Sequence, residues 1–182
     1  PATAAVLLGE LAAPSALPAQ LEVLDGAGLE SMVSAHVVQS FRRFGARALE
    51  PLLALLAEQP IAIDEGPTHR DAIVMALSSL RVPDARILRE VEALFRRKAD
   101  VGAACFVSLG MPEALPVLAA WLDAQCVGLV DDVPEYAELF DTVADAATAL
   151  GGSLSASQAQ KRMRLHAILE ASFDDGDDLD DP

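Results

Sequence analysis

The side chains best suited to recognition chemistry are three arginines in the middle of the chain, Arg47, Arg86 and Arg89. A guanidinium group binds a carboxylate or a phosphate through two parallel hydrogen bonds, so arginines on one helix face form a site for such groups. Arg86 and Arg89 are three residues apart and share one side of a predicted helix over 84–97. The sequence therefore predicts a partner-binding surface that contains Arg86, Arg89 and, from the preceding predicted helix, Arg47.

Ion pairing within the helix is the structural alternative for the same arginines. Arg86 with Glu90, or Arg89 with Glu92, has the spacing at which side chains meet along a helix. Such surface pairs contribute only a few tenths of a kcal/mol. In that case the arginines would stabilise their own helix and bind nothing.

The charge balance disfavours nucleic acid as a partner. The net charge is −15, although ten of the thirteen Lys and Arg lie between residues 42 and 98. Proteins that neutralise a phosphate backbone carry a basic surface, and those that bind single strands add aromatic side chains on which bases stack. The single Trp, Trp121, lies instead in an apolar stripe.

The sequence also contains no apolar run of the roughly 18–20 uncharged residues that a membrane span requires. We therefore predict a soluble, cytoplasmic protein that makes no membrane contact. Cys105 and Cys126 fit this prediction as reduced thiols that pack like small hydrophobic side chains.

No pattern indicates metal binding. His36, His69 and His166 are each isolated, and neither cysteine has a Cys or His at metal-ligand spacing. The sequence predicts no metal and no cofactor.

Candidate catalytic groups are equally weak. The acid pairs Asp64-Glu65 and Asp131-Asp132 fall in predicted loops, where carboxylates are solvated, whereas general acid–base catalysis needs a cleft that shifts a pKa. The chain also lacks a nucleophile elbow, a phosphate loop and a dinucleotide-binding fingerprint. We predict no catalytic residues and a protein that is not an enzyme.

The elements that would position the arginines come from an internal repeat. In the stretch over residues 102–125, an apolar helix stops at Gly110 and a second one starts at Pro112, as expected from the backbone preferences of glycine and proline. The segment over residues 5–24 repeats this pattern with five identities at one offset: Leu11, Pro14, Ala16, Leu17 and Pro18 fall on Leu109, Pro112, Ala114, Leu115 and Pro116.

Two weaker copies lie between these segments. One has Gly45 at the turn and Ala48 at the start of its second helix, and the other has Pro83 and Ala85 at the corresponding positions. A degenerate fifth copy turns at Gly151-Gly152. Recurrence near 30 residues is typical of stacked repeats, since one helix pair alone cannot bury its apolar stripe.

The pattern Leu-Gly-x-Pro-x-Ala-Leu-Pro, preceded by an apolar helix, resembles the bacterial HEAT-like repeats of the short, phycobilin-lyase (PBS-lyase) type. The resemblance covers residues 4–125 well and 134–171 loosely. It implies an all-α, right-handed α-α superhelix of about five antiparallel helix pairs, with second helices on the concave side. It also implies a non-enzymatic protein-protein interaction scaffold. The alternative is an enzyme or enzyme accessory module of the chromophore-lyase type.

The predicted domain covers 1–172, and an acidic disordered tail covers 173–182. The helix over 3–12 begins the array without a polar cap, so we predict that it can also stack on a second copy of the chain to give a homodimer. Thr68 and Asp71 form a predicted capping box. The predicted repeat units cover 3–24, 28–58, 68–97, 99–125 and 134–171.

Overall fold

The computed structural model describes residues 14–26, 32–59, 68–126 and 133–174. These ranges contain helices and no strand, so the all-α prediction is confirmed for them. No helix within them has the length and apolar character that a membrane crossing requires. The α-helices are α1 (Leu17–Gly26), α2 (Met32–Phe44), α3 (Leu49–Glu58), α4 (His69–Ser79), α5 (Ala85–Arg97), α6 (Ala99–Leu109), α7 (Leu115–Ala124), α8 (Val133–Ala149) and α9 (Ala156–Asp174).

Within the described residues, the outer helix ends lie within four residues of the limits of the predicted repeat units 28–58, 68–97, 99–125 and 134–171. The capping box at the start of α4 is confirmed: Thr68 Oγ accepts from the backbone N–H of Asp71, and the Asp71 carboxylate accepts from that of Thr68. Helix α9 continues to Asp174, so residues 173 and 174, which the sequence placed in the acidic tail, are helical. The helix over 3–12, the two acid pairs and residues 175–182 lie outside the described residues.

The chain divides into two compact units, Pro1–Gly110 and Met111–Pro182. In the first, α4 is the central helix, packed against α1, α2, α3, α5 and α6. Its apolar sequence allows this, because a helix that is hydrophobic on most sides is stable only when surrounded. The largest fully buried side chains described in this unit are Leu24, Phe41, Leu52, Ile73, Leu77, Ile87, Leu94 and Phe106.

In the second unit, α7 packs against α8 and α9. Helix α9 starts with a capping box in which Ser155 and Gln158 each accept a hydrogen bond from the other's backbone N–H. The buried amide of Gln158 also donates to Asp123 Oδ1 and to the carbonyl of Ala119, both on α7. The core of this unit is formed by Leu118, Leu122, Phe140, Val143 and Leu165.

Left-handed residues mark the turns that the repeat predicts. Gly110 ends α6 with φ 70°, and its N–H donates to the carbonyls of Phe106 and Val107. Arg81 takes the equivalent position after α4 with φ 54°. The predicted turn residues Gly45 and Gly151 also have positive φ, at 53° and 88°. The left-handed turn conformation is therefore repeated at Arg81, although this position lacks the glycine that normally adopts it.

Replacement of Arg81 tests this repeated geometry. A non-glycine residue in the left-handed conformation destabilises the folded protein by about 1–2 kcal/mol. Glycine avoids this strain, but part of the gain is offset because glycine loses more conformational freedom on folding. We expect Arg81→Gly to stabilise the protein by about 0.5–1 kcal/mol in urea unfolding. Arg81→Ala is the control, since it removes the exposed side chain and keeps the strained φ. Equal stability of the two variants would contradict the strain argument.

Candidate binding groove between two helices

An open groove of about 350 Å³ lies between α3 and α5, near the lower limit of pockets that bind small ligands. Its two sides differ in chemistry. The α3 side is apolar and the α5 side is charged, and each presents residues at i, i+3 and i+4, which share one helix face. The lining consists of Leu53, Leu56 and Ala57 on α3, Arg86, Arg89 and Glu90 on α5, and Arg70 on α4.

Arg70 fastens the groove together. Its Nη1 donates to the carbonyl oxygens of Leu56 at 3.1 Å and Gln59 at 3.2 Å, near the end of α3. Its Nη2 pairs with the Glu90 carboxylate on α5. A cation at the carbonyl end of a helix is also favoured by the helix dipole. Arg70 therefore holds α3, α4 and α5 in register, and its charge is already neutralised.

Arg86 is also committed to neighbouring carboxylates. Its Nη2 lies 2.8 Å from Asp84 Oδ2 and 2.7 Å from Glu50 Oε1, so it links α5 to α3. The hydrogen bonds to Asp84 and Glu50 raise the pKa of Arg86, and those from Arg86 lower the pKa of both carboxyl groups. Asp84 in turn caps α5 by accepting from the backbone N–H of Arg86 at 2.8 Å.

Arg89 is the lining cation with unused binding capacity. It is exposed, and its Nε donates to the Ala85 carbonyl at 3.3 Å within its own helix. Among the described residues, no carboxylate pairs with it. A guanidinium carries five N–H donors in a planar fork, so the two terminal amino groups of Arg89 remain available to an incoming carboxylate.

The structure brings together two of the three predicted site residues. Arg47 is exposed in the short 3-10 helix Gly45–Ala48 and is not part of the groove lining. The predicted pairs within α5 are wrong, because Glu90 is taken by Arg70 of α4 and Glu92 pairs with Arg96 at 3.6 Å.

A second hollow, of about 390 Å³, runs along α9. Met163 is 67% exposed there. The basic side chains of this hollow already have acid partners: Arg162 binds Asp141 and Asp145, and the His166 ring nitrogen lies within hydrogen-bond distance of Asp141. This hollow therefore offers an apolar surface without a free cation, and the α3/α5 groove is the better candidate site.

The comparisons with known proteins add no relative. No protein-family model, curated protein or solved structure matches this chain. The function must therefore be argued from the residues alone.

The described residues also show little sign of reaction chemistry. They contain no cluster of three His, Cys, Asp or Glu side chains that could hold a metal ion. Burial raises the pKa of the Cys105 thiol to about 11, so it stays protonated and unreactive at neutral pH. His69 and Cys126 are exposed, and the side chain of His36 lies outside the description.

Asp71 forms a buried charge cluster outside the groove. Its side chain is 4% exposed and lies 2.7 Å from Lys98 Nζ and 3.0 Å from Arg97 Nη2. Burial opposes ionisation of this carboxyl group, but the hydrogen bonds from Lys98, Arg97 and Thr68 outweigh it, and the pKa of Asp71 is lowered. The cluster joins the start of α4 to the end of α5, on which the groove arginines lie.

Sequence reasoning missed the apolar side of the groove. The segment Leu49–Glu58 has more leucines than a helix with one buried face requires. Leu52 and Leu56 are buried, whereas Leu53 is half-buried and Ala57 is exposed. The surplus of leucines was therefore the sequence signal that indicates this apolar side. No sequence signal indicated the role of Arg70, since its partners lie 11, 14 and 20 residues away in sequence.

Proposed function

We propose that this chain is a non-enzymatic protein-protein interaction scaffold in the cytoplasm, built as a HEAT-like solenoid, with the α3/α5 groove as its binding site. The observation that carries the proposal is the guanidinium of Arg89, which pairs with no carboxylate of the described residues and lies beside an apolar wall. The chain carries 28 acidic residues and 13 Lys and Arg. Among the exposed arginines without a carboxylate partner in the described residues, Arg89 is the one that lines this groove.

Two further observations support the scaffold. The groove lies between α3 and α5, which occupy the second-helix positions of successive predicted repeat units. In a HEAT-like stack these helices line the concave surface. The left-handed turn residues Arg81 and Gly110 also occupy equivalent repeat positions. A rigid helical surface with a small apolar groove suits recognition of another protein, and nucleic acid remains disfavoured by the net charge of −15.

Charge reversal of Arg89 tests the proposal. Wild type, Arg89→Glu and Arg96→Glu are immobilised and exposed to lysate of the source cells, and retained proteins are identified by mass spectrometry. We expect a protein that wild type and Arg96→Glu retain and Arg89→Glu loses, because reversing the groove cation repels an acidic partner. Arg96 is the matched control, since its side chain is 73% exposed on the same helix and outside the groove.

The retained protein is then purified and titrated against each variant by calorimetry. Arg47→Glu enters the same series, because it tests whether the third predicted residue extends the surface. Circular dichroism melts verify that every variant stays folded. Identical retention by wild type and Arg89→Glu would refute the groove as the partner site, and retention of no protein by any variant would refute the scaffold.

A further inference from the structure

We propose that the occupant of the α3/α5 groove is an acidic peptide segment that places an aliphatic side chain on the α3 wall and a carboxylate on Arg89. This inference rests on the proposed function and specifies the chemistry of the partner. The inference excludes peptide segments that are rich in phosphate, basic or purely apolar.

The apolar wall calls for an aliphatic side chain. Leu53 and Ala57 leave apolar surface open to solvent one helical turn apart, with buried Leu56 beneath them. Burial of such surface against a leucine or methionine removes it from water, which is the main favourable contribution in most protein association. A groove of about 350 Å³ accommodates side chains of this size and is too small for a folded domain.

The donor groups of Arg89 fit one carboxylate. Of the three lining arginines, Arg70 is neutralised by Glu90, and Arg86 by Asp84 and Glu50. With Arg89, these three arginines and three carboxylates sum to zero charge, and the terminal amino groups of Arg89 are the lining guanidinium donors that no carboxylate of the described residues contacts. A carboxylate carries one negative charge and fits the guanidinium fork, whereas a phosphate monoester carries nearly two. A phosphate would therefore place more negative charge than a carboxylate beside Glu90 on this strongly acidic chain.

Peptide selection on the intact chain tests the inference. A phage-displayed library of random 12-residue peptides is selected on immobilised wild type, and enriched peptides are synthesised with a fluorescein label. We expect enriched peptides to contain Asp or Glu together with Leu, Ile or Met. By fluorescence anisotropy, Arg89→Gln should weaken their binding about 10- to 100-fold, the loss of a charge-assisted hydrogen-bonded pair.

Two variants separate the wall from the cation. Ala57→Trp fills the groove from an exposed position and should weaken binding at least about tenfold. Arg96→Gln removes a charge from the same helix outside the groove and should leave the affinity unchanged. A peptide in which lysine replaces the selected acid should bind Arg89→Glu better than it binds wild type, because the charges are then complementary again.

The outcomes distinguish this inference from the proposed function. Peptides that bind wild type, Arg89→Gln and Ala57→Trp equally would overturn the inference and leave a scaffold with another binding surface. Tighter binding of a phosphoserine analogue would overturn the choice of a carboxylate. If no peptide is enriched but the lysate experiment yields a partner whose retention depends on Arg89, the inference of a linear acidic segment would be overturned and the proposed scaffold function would stand.

Discussion

Asp71→Asn should destabilise the protein by about 3 kcal/mol, more than any other single charge removal in the described part of the chain. The substitution keeps the size of the side chain and one carbonyl oxygen for the Thr68 N–H. It removes the negative charge that Lys98 and Arg97 contact at 2.7 and 3.0 Å. The side chain of Lys98 is only 14% exposed, so its ammonium group would lose the charge of Asp71 while it remains largely buried.

Urea unfolding followed by circular dichroism measures this loss. Asp100→Asn is the matched control, because Asp100 is an exposed acid in the first turn of α6 and its charge contributes only about 0.3–1 kcal/mol through the helix dipole. If Asp71→Asn and Asp100→Asn unfold at the same urea concentration, the Asp71 cluster contributes no more than a surface charge.

The same residue predicts a dependence of stability on pH. The pKa of Asp71 is lower in the folded protein than its ordinary value of 3.8. At a pH between the folded pKa and that ordinary value, unfolding therefore takes up a proton. The stabilisation by Asp71 is fully present above about pH 5 and is lost as the pH falls through the folded pKa. The difference in stability between wild type and Asp71→Asn should shrink accordingly on acidification. A constant difference from pH 7 to pH 3 would contradict the assignment.

The helices were predictable from sequence because their limits depend on neighbouring residues. Thr68 and Asp71 cap α4 across three residues, and Gly110 ends α6 by its own backbone preference. The same Asp71 shows where local reasoning ends. Its cationic partners lie 26 and 27 residues along the chain, so only the packing of α4 against α5 brings them together.

The candidate site was predictable to the same extent. The shared side of Arg86 and Arg89 follows from helical spacing, and both line the groove. Helical spacing does not show which of the two arginines lacks a carboxylate partner in the described residues, because Glu50, which pairs with Arg86, lies 36 residues away in sequence. The position of Arg47 depends on a 3-10 turn at Gly45–Ala48 rather than on the regular helix that the sequence predicted there.

Helices α5 and α6 pack closely because residue 102 is a glycine. The substitution Gly102→Ala should therefore destabilise the protein, which is the opposite of its usual effect inside a helix. Replacing glycine by alanine inside a helix ordinarily stabilises it by about 1 kcal/mol. At Gly102, a Cβ atom would lie 2.3 Å from Phe95 Cα and 2.7 Å from Phe95 N. These are backbone atoms of α5, so no side-chain rotation relieves the overlap. We expect Gly102→Ala to destabilise the protein by at least about 2 kcal/mol.

Two controls tie this loss to backbone contact. Ala104→Gly, at an exposed position of the same helix, should cost about 1 kcal/mol, which shows that helix propensity favours alanine there. Phe95→Ala in the Gly102→Ala background should restore no stability, since the overlapping Cα and N atoms of residue 95 remain. A Gly102→Ala variant as stable as wild type would mean that α5 and α6 separate at no cost. The groove cations on α5 would then be positioned by Arg70, the Asp71 cluster and the Arg86–Glu50 pair, and the α5–α6 contact would have no part in positioning them.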